Sequence, residues 1–112
     1  MNWVRCASIW GVMSAPSGLK GKAAADWVTV VGPAASVDVR ATVETTDGAV
    51  IYCQYTGRFD LTNGRGTAPI YVAPTFETAD ERYQWLNLVQ AAGVGTLNGS
   101  ELHYEWFELR AA

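Results

Sequence analysis

Asp47-Gly48 divides two segments whose side chains alternate in character. Before it, Val37, Val39, Ala41 and Val43 interleave with Asp38, Arg40, Thr42 and Glu44. That is a repeat of two residues, which suits a strand with one covered face and does not suit a helix. After it, Ala49 to Thr56 is rich in β-branched and aromatic residues. Asp-Gly tolerates the positive φ angles of a tight turn, so the two segments are expected to pair as an antiparallel hairpin. Asn63-Gly64 and Asn98-Gly99 carry the same signal. The arm after Asn98-Gly99 runs from Glu101 to Leu109. Leu102, Tyr104 and Trp106 point to one side, and His103, Glu105, Phe107 and Leu109 to the other. Both sides are partly apolar, as in a strand covered on both faces.

Further strands are expected at Trp3–Val12, Gly18–Ala23, Trp27–Val31 and Pro69–Ala73. With the four hairpin arms this makes about eight, enough to close a barrel that holds side chains or one small ligand. Closure also removes exposed sheet edges. One short helix is expected to interrupt the strands. Thr78 and Glu81 form a capping box, with Asp80 and Glu81 favouring the positive end of the helix dipole. The helix is taken to stop near Leu86, leaving the following residues to pair with the last strand. The fold class is therefore all-β: one antiparallel barrel domain over residues 1–112 with a single short helix.

Composition narrows the function. Of 112 residues, 49% are hydrophobic and 17% charged, which is the balance of a globular domain. Such a chain buries a core without disulfide or metal staples. The net charge is −3 and the basic residues are scattered, so the electrostatic footprint of a nucleic-acid binder is missing. No apolar run approaches the roughly 20 residues of a membrane helix. The segment from Cys6 to Ala15 faintly resembles a signal peptide, but Trp10, Gly11 and the lack of a lysine-rich start favour a first strand. Two cysteines, Cys6 and Cys53, and one histidine are too few for a structural zinc site. The cysteines pair only if the fold brings them together. Five Trp and five Tyr suit either a core or the wall of a ligand cavity.

Motif chemistry is sparse. Gly93-Val94-Gly95 lacks the rest of a dinucleotide fingerprint and reads instead as a strand thinned where another group comes close. There is no phosphate-binding loop and no Gly-x-Ser-x-Gly elbow. The candidates that remain are polar residues in otherwise plain elements. Asp38 and Arg40 share one strand face. Outside the barrel they form a weak surface ion pair. Inside it, the carboxylate serves as a base and the guanidinium stabilises a developing enolate or phenolate. Tyr83, Trp85 and Asn87 alternate near the helix and either fill the core or wall a pocket. Asp26 caps a turn or enters the cavity. Glu77 is a solvated loop residue or an acid–base group at the barrel mouth. His103 is a satisfied barrel residue or, with its pKa near neutrality, a participant in the site.

Taken in order, several of these pieces resemble one family. They are Asp26-Trp27, Asp38-Val39-Arg40, Thr46-Asp47-Gly48-Ala49, Val50-Ile51-Tyr52 and Gly57. They continue with Ala73-Pro74-Thr75-Phe76-Glu77-Thr78, Tyr83-Gln84-Trp85-Leu86-Asn87, Gly93-Val94-Gly95 and Tyr104-Glu105. The ordered set is similar to the domain of unknown function 3237 (DUF3237), small bacterial and fungal proteins, over about residues 17–110. The resemblance implies a lipocalin-like antiparallel barrel, often dimeric. Some fungal relatives are linked to chalcone-isomerase-type ring closure, a proton transfer that needs no cofactor. The chain departs from the family in a shorter N-terminus and a short stretch between Gly57 and Ala73.

The leading expectation is a cytoplasmic, homodimeric, cofactor-independent isomerase, cyclase or lyase acting on a small phenolic or carbonyl-bearing molecule. Asp38 or Glu77 moves the proton and Arg40 holds the oxyanion. Asp26, Tyr83, Trp85, Asn87 and His103 shape the site, with no metal. This reading requires Asp38 and Arg40 to face away from bulk solvent. Two alternatives stand beside it. One is a barrel that binds a small molecule without chemistry. The other is a structural dimerisation module whose filled interior leaves less than ~300 Å³.

Overall fold

The hairpin around Asp47-Gly48 forms as its alternation requires, and it anchors the sheet. In the computed structural model, which describes residues 4–8, 19–98 and 101–111, β3 (Ala34–Thr45) pairs antiparallel with β4 (Val50–Asp60). Gly48 takes φ 89° at the turn, where a Cβ would be strained. Val39 faces Tyr55 across the ladder and Val43 faces Ile51, so the odd-numbered apolar residues share one face. A second hairpin precedes it: β2 (Leu19–Val31) turns through Gly32-Pro33 into β3, with Val31 opposite Ala34. Gly32 supplies the positive φ of 58° and Pro33 a fixed negative one. The expected strands Gly18–Ala23 and Trp27–Val31 are thus one long strand. A register shift between Gly21 and Ala23 bends it and lets it continue.

The remaining strands are β1 (Val4–Ser8), β5 (Ile70–Val72), β6 (Thr75–Glu77), β7 (Ala91–Asn98) and β8 (Glu101–Ala111). Their order in the sheet is β1-β8-β7-β5-β4-β3-β2, all neighbours antiparallel, with β6 beside the first half of β4. β5 and β6 are two halves of one interrupted strand, broken at Ala73-Pro74, where proline cannot donate to the ladder. β7 and β8 form the Asn98 hairpin, with Asn98 opposite Glu101. Asn63-Gly64 lies in a wide hairpin, since β4 and β5 pair antiparallel, but it is not a tight two-residue tip. It turns within the longer connection 61–69 between β4 and β5. The result is an antiparallel barrel-like sheet, although no pairing joins β1 to β2 among the described residues.

The helix differs from expectation. Gln84–Leu88 is one short 3-10 helix, and Tyr83 precedes it without a side-chain cap. The Thr78–Glu81 capping box does not form, because the Thr78 hydroxyl donates to the Val50 carbonyl and accepts from the Asp80 amide. Tertiary bonding to β4 has taken the group that would have capped a helix.

Leu86 and Val89 enter one end of the sheet and pack on Ile51, Cys53, Phe76 and Ala91. These residues are the core, and the 78–90 segment is its plug. Trp106, Tyr55 and Tyr104 lie beyond it as an aromatic layer. Tyr55 meets Tyr104 at 5.4 Å and Trp106 at 5.7 Å, both edge to face. No helix among the described residues is long and apolar enough to cross a membrane.

Candidate functional site

Past the aromatic layer the inner face is not filled. A cavity of about 130 Å³ lies there, floored by Tyr55 and Tyr104 and walled by Val28, Val37, Val39, Phe59, Ile70 and Leu97. The 61–69 connection closes over it with Arg65, Gly66 and Ala68. The cavity follows from the sequence pattern. Alternation turns Val37 and Val39 of β3 inward together with Tyr55 and Phe59 of β4. The plug at 78–90 covers only the half of that face near the Asp47 turn. Among the described residues Arg65 is the one charged member of the lining, and no carboxylate joins it.

Three glycines set how closely the walls approach. A Cβ on Gly95 would lie 2.5 Å from Cε1 of Tyr104, and one on Gly93 2.3 Å from Cδ1 of Trp106. The two rings therefore lie flat on the glycine backbone of β7, so the thin strand read from Gly93-Val94-Gly95 makes room for the protein's own aromatics. Gly57 admits the neighbouring strand instead, with its missing Cβ 2.3 Å from the Tyr71 carbonyl oxygen. The Trp106 Nε1 is buried and has no hydrogen-bond partner among the described residues.

The predicted site residues whose side chains are described do not line this cavity. Asp38 and Arg40 sit on the face of β3 opposite Val39, the outer one. Their side chains are 43% and 55% exposed, and Arg40 Nε stands 3.9 Å from Asp38 Oδ1. That is the weak outer-face ion pair, one of the two readings open from sequence. Beside it lies an open outer depression of about 510 Å³ that includes Trp27, Asp38, Thr56 and Arg58. Glu77 is exposed on β6, opposite Tyr52 in register. His103 is exposed on β8, opposite Thr96. Trp85 is exposed as well. Asp26 pairs through its backbone with Val39, and its side chain lies outside the described residues.

Tyr83 and Asn87 have structural work at the plugged end. The Tyr83 hydroxyl donates to Asp47 Oδ2 at 2.6 Å. Thr45 donates to the other Asp47 oxygen, and Arg82 lies 3.3 Å from Oδ2. The Thr45 and Tyr83 hydrogen bonds, helped by Arg82, hold the Asp47 carboxyl below its ordinary pKa. The same bond to Asp47 raises the Tyr83 phenol above its ordinary value. Asp80 grips Arg82 through two hydrogen bonds at 2.8 and 2.9 Å, which lowers the Asp80 pKa and raises that of Arg82. Asn87 accepts from the Thr78 amide and donates to the Thr78 carbonyl, closing the loop on itself. This network rivets the plug to the β3–β4 turn. Cys53 is a free thiol in the core, and burial pushes its pKa up to about 12. Among the described residues no group of His, Cys, Asp or Glu gathers where a metal ion fits.

A family model, described as a protein of unknown function (DUF3237), matches residues 2–109. The chain belongs to the DUF3237 family. A beta-barrel like protein from Acinetobacter baumannii AYE shares its fold with a TM-score of 0.74 at 22% identity, over 96% of this chain and 96% of that one. A protein with unknown function from Clostridium acetobutylicum ATCC 824 is similar with a TM-score of 0.70 at 16% identity, over 78% of this chain and 66% of that one. No curated protein matches the chain.

Within this DUF3237 barrel, sequence reasoning missed Tyr55, Phe59, Arg65, Leu97 and Tyr104 as cavity residues. The parity of β4 carried a usable signal for Tyr55 and Phe59, since both share the face of Ile51. Nothing local marked Arg65, which reaches the cavity only because its connection folds back over the sheet.

Proposed function

We propose that the protein is a small-molecule-binding barrel whose ligand occupies the cavity between the aromatic layer and the 61–69 connection. The carrying observation is a mostly apolar interior of about 130 Å³ lined by aliphatic and aromatic side chains with Arg65 as the one charged anchor among the described residues, the usual make-up of a ligand site. The volume is below the ~300 Å³ of a drug-sized pocket but close to the ~150 Å³ apolar cavity that holds benzene. It suits a single ring and is small for a two-ring enone. The acid–base isomerase or lyase reading has less support, because Arg40 and Glu77 are exposed, Asp38 is half-buried on the outer face, and none of the three joins this lining.

The test is a titration followed by backbone amide NMR, using single-ring compounds against the wild type and Val39→Phe. Val39 is buried in the cavity wall, and a phenyl ring there takes up the free space. Saturable shifts around Val39, Tyr55 and Tyr104 in the wild type, lost in a folded Val39→Phe, are the expected result. Shifts that persist unchanged in the variant put the ligand elsewhere and refute the proposal.

The homodimer expected from the family resemblance gains support from the β2 edge. Trp27 and Val31 are 68% and 73% exposed beside a strand with no partner on its outer side among the described residues. Pairing with a second copy would cover both. Light scattering tests it, and a monomer at micromolar concentration would refute it.

A further inference from the structure

The chemistry of the cavity narrows its ligand, taking the binding reading above as its premise. Arg40, Arg82 and Arg110 each stand beside a carboxylate, of Asp38, of Asp80 and Asp47, and of Glu108. Arg65 has no ion pair or hydrogen bond among the described residues, yet it forms part of the cavity wall. It does so in a protein of net charge −3. A guanidinium at the rim of an apolar chamber has a low-dielectric surface on one side, so an anion placed there interacts with it more strongly than in water. Its fork of donors matches the two oxygens of a carboxylate. Below it the walls are Val37, Val39, Phe59 and Ile70, with Tyr55 and Tyr104 presenting ring surface at the floor. Arg65 is the only charged side chain among the described residues of that lining. The volume sets the size of the body, the walls set its polarity, and Arg65 sets the sign and position of its head group.

We infer that the cavity takes a single-ring monocarboxylate of about the size of benzoate, ring down against Tyr55 and Tyr104 and carboxylate on Arg65. Inorganic anions fit this description poorly, because they leave the apolar walls of Val37, Val39, Phe59 and Ile70 without a partner. Neutral rings of the same size fit the walls but leave Arg65 unused.

The experiment compares benzoate with its neutral analogue benzamide, by amide NMR titration of the wild type, Arg65→Gln and Arg65→Lys at neutral pH. Arg65 is exposed on a connection, so neither substitution threatens folding. In the wild type, benzoate is expected to shift the resonances of Val39, Tyr55, Tyr104 and residues 64–68 and to bind about tenfold or more tighter than benzamide. Arg65→Gln is expected to remove that preference and leave benzamide unchanged, and Arg65→Lys to restore part of it. Equal binding of benzoate and benzamide, or a preference that survives Arg65→Gln, overturns the carboxylate assignment while leaving the cavity as a binding site. If neither compound moves an interior resonance, this inference and the binding reading fall together.

Discussion

Replacing Gly57 with alanine puts the packing argument to a quantitative test. A Cβ at this position would stand 2.3 Å from the carbonyl oxygen of Tyr71 and 2.6 Å from Cγ1 of Val72. Ordinary carbon–oxygen contact begins about 1 Å farther out. The Val72 methyl can turn aside, but the Tyr71 carbonyl is backbone of β5 and moves only with its strand. β5 is three residues long and pairs with β4 at Gly57–Val72 and Arg58–Tyr71, with the Ala73 amide donating to the Thr56 carbonyl just beyond it. Relief therefore requires β5 to back away from β4. Overpacking of this kind costs about 1–3 kcal/mol. The stiffer alanine in the unfolded chain returns about 0.4–1 kcal/mol. A net loss of ~1.3 kcal/mol is expected, which lowers Tm by about 5 °C in a domain of this size. Urea denaturation of wild type and variant measures it, with an unchanged slope showing that only stability has moved. Gly64→Ala is the control: nothing lies within 4 Å of its Cβ, and only the positive φ of 96° opposes it. A Gly57→Ala loss below about 0.5 kcal/mol, or one no larger than the control, would refute the claim that Gly57 is required by the approach of β5.

Three other outcomes follow from the site. The depressed pKa values of Asp47 and Asp80 make the plug sensitive to acid: their contribution is complete above the ordinary carboxylate pKa near 4 and is lost as pH falls through the lower folded values. Tyr83→Phe should shrink that acid-dependent loss as well as the stability at pH 7, and identical pH–stability curves would count against the rivet. Cys53 should resist thiol reagents in the native protein and react on unfolding, since it is buried and its pKa is raised to about 12; fast native labelling of Cys53 would contradict the core assignment. Arg40→Met should alter stability by no more than about 0.5 kcal/mol and leave ligand titrations unchanged, as befits an exposed pair at 3.9 Å; loss of binding in that variant would return the site to the outer face.

Alternation and turn chemistry made most strands legible in the sequence. Val37 to Thr45 pairs with the segment after Asp47-Gly48 because a period of two admits no other regular structure. Gly32-Pro33 turns a hairpin just as tightly, but Gly-Pro marks a turn without specifying, as Asn-Gly and Asp-Gly do, that its flanks pair. The helix was misjudged for a tertiary reason: Thr78 had the right neighbours for a cap, but the Val50 carbonyl, distant in sequence, took its hydroxyl.

The sequence by itself determined which residues share a face. It could not determine which face is covered. On β3, Asp38 with Arg40 and Val37 with Val39 are equally regular rows, and only the arrival of Tyr55, Phe59 and the 61–69 connection over the second row makes it the interior. The extent of the cavity was likewise settled in three dimensions. Leu86 and Val89 fill one end, Tyr55 and Tyr104, the latter laid over Gly95, form the floor, and the space beyond them stays open. Periodicity is a property of the chain's own backbone, whereas burial depends on what distant segments bring to it. That is why the strands were readable from the sequence and the cavity with Arg65 at its rim was not.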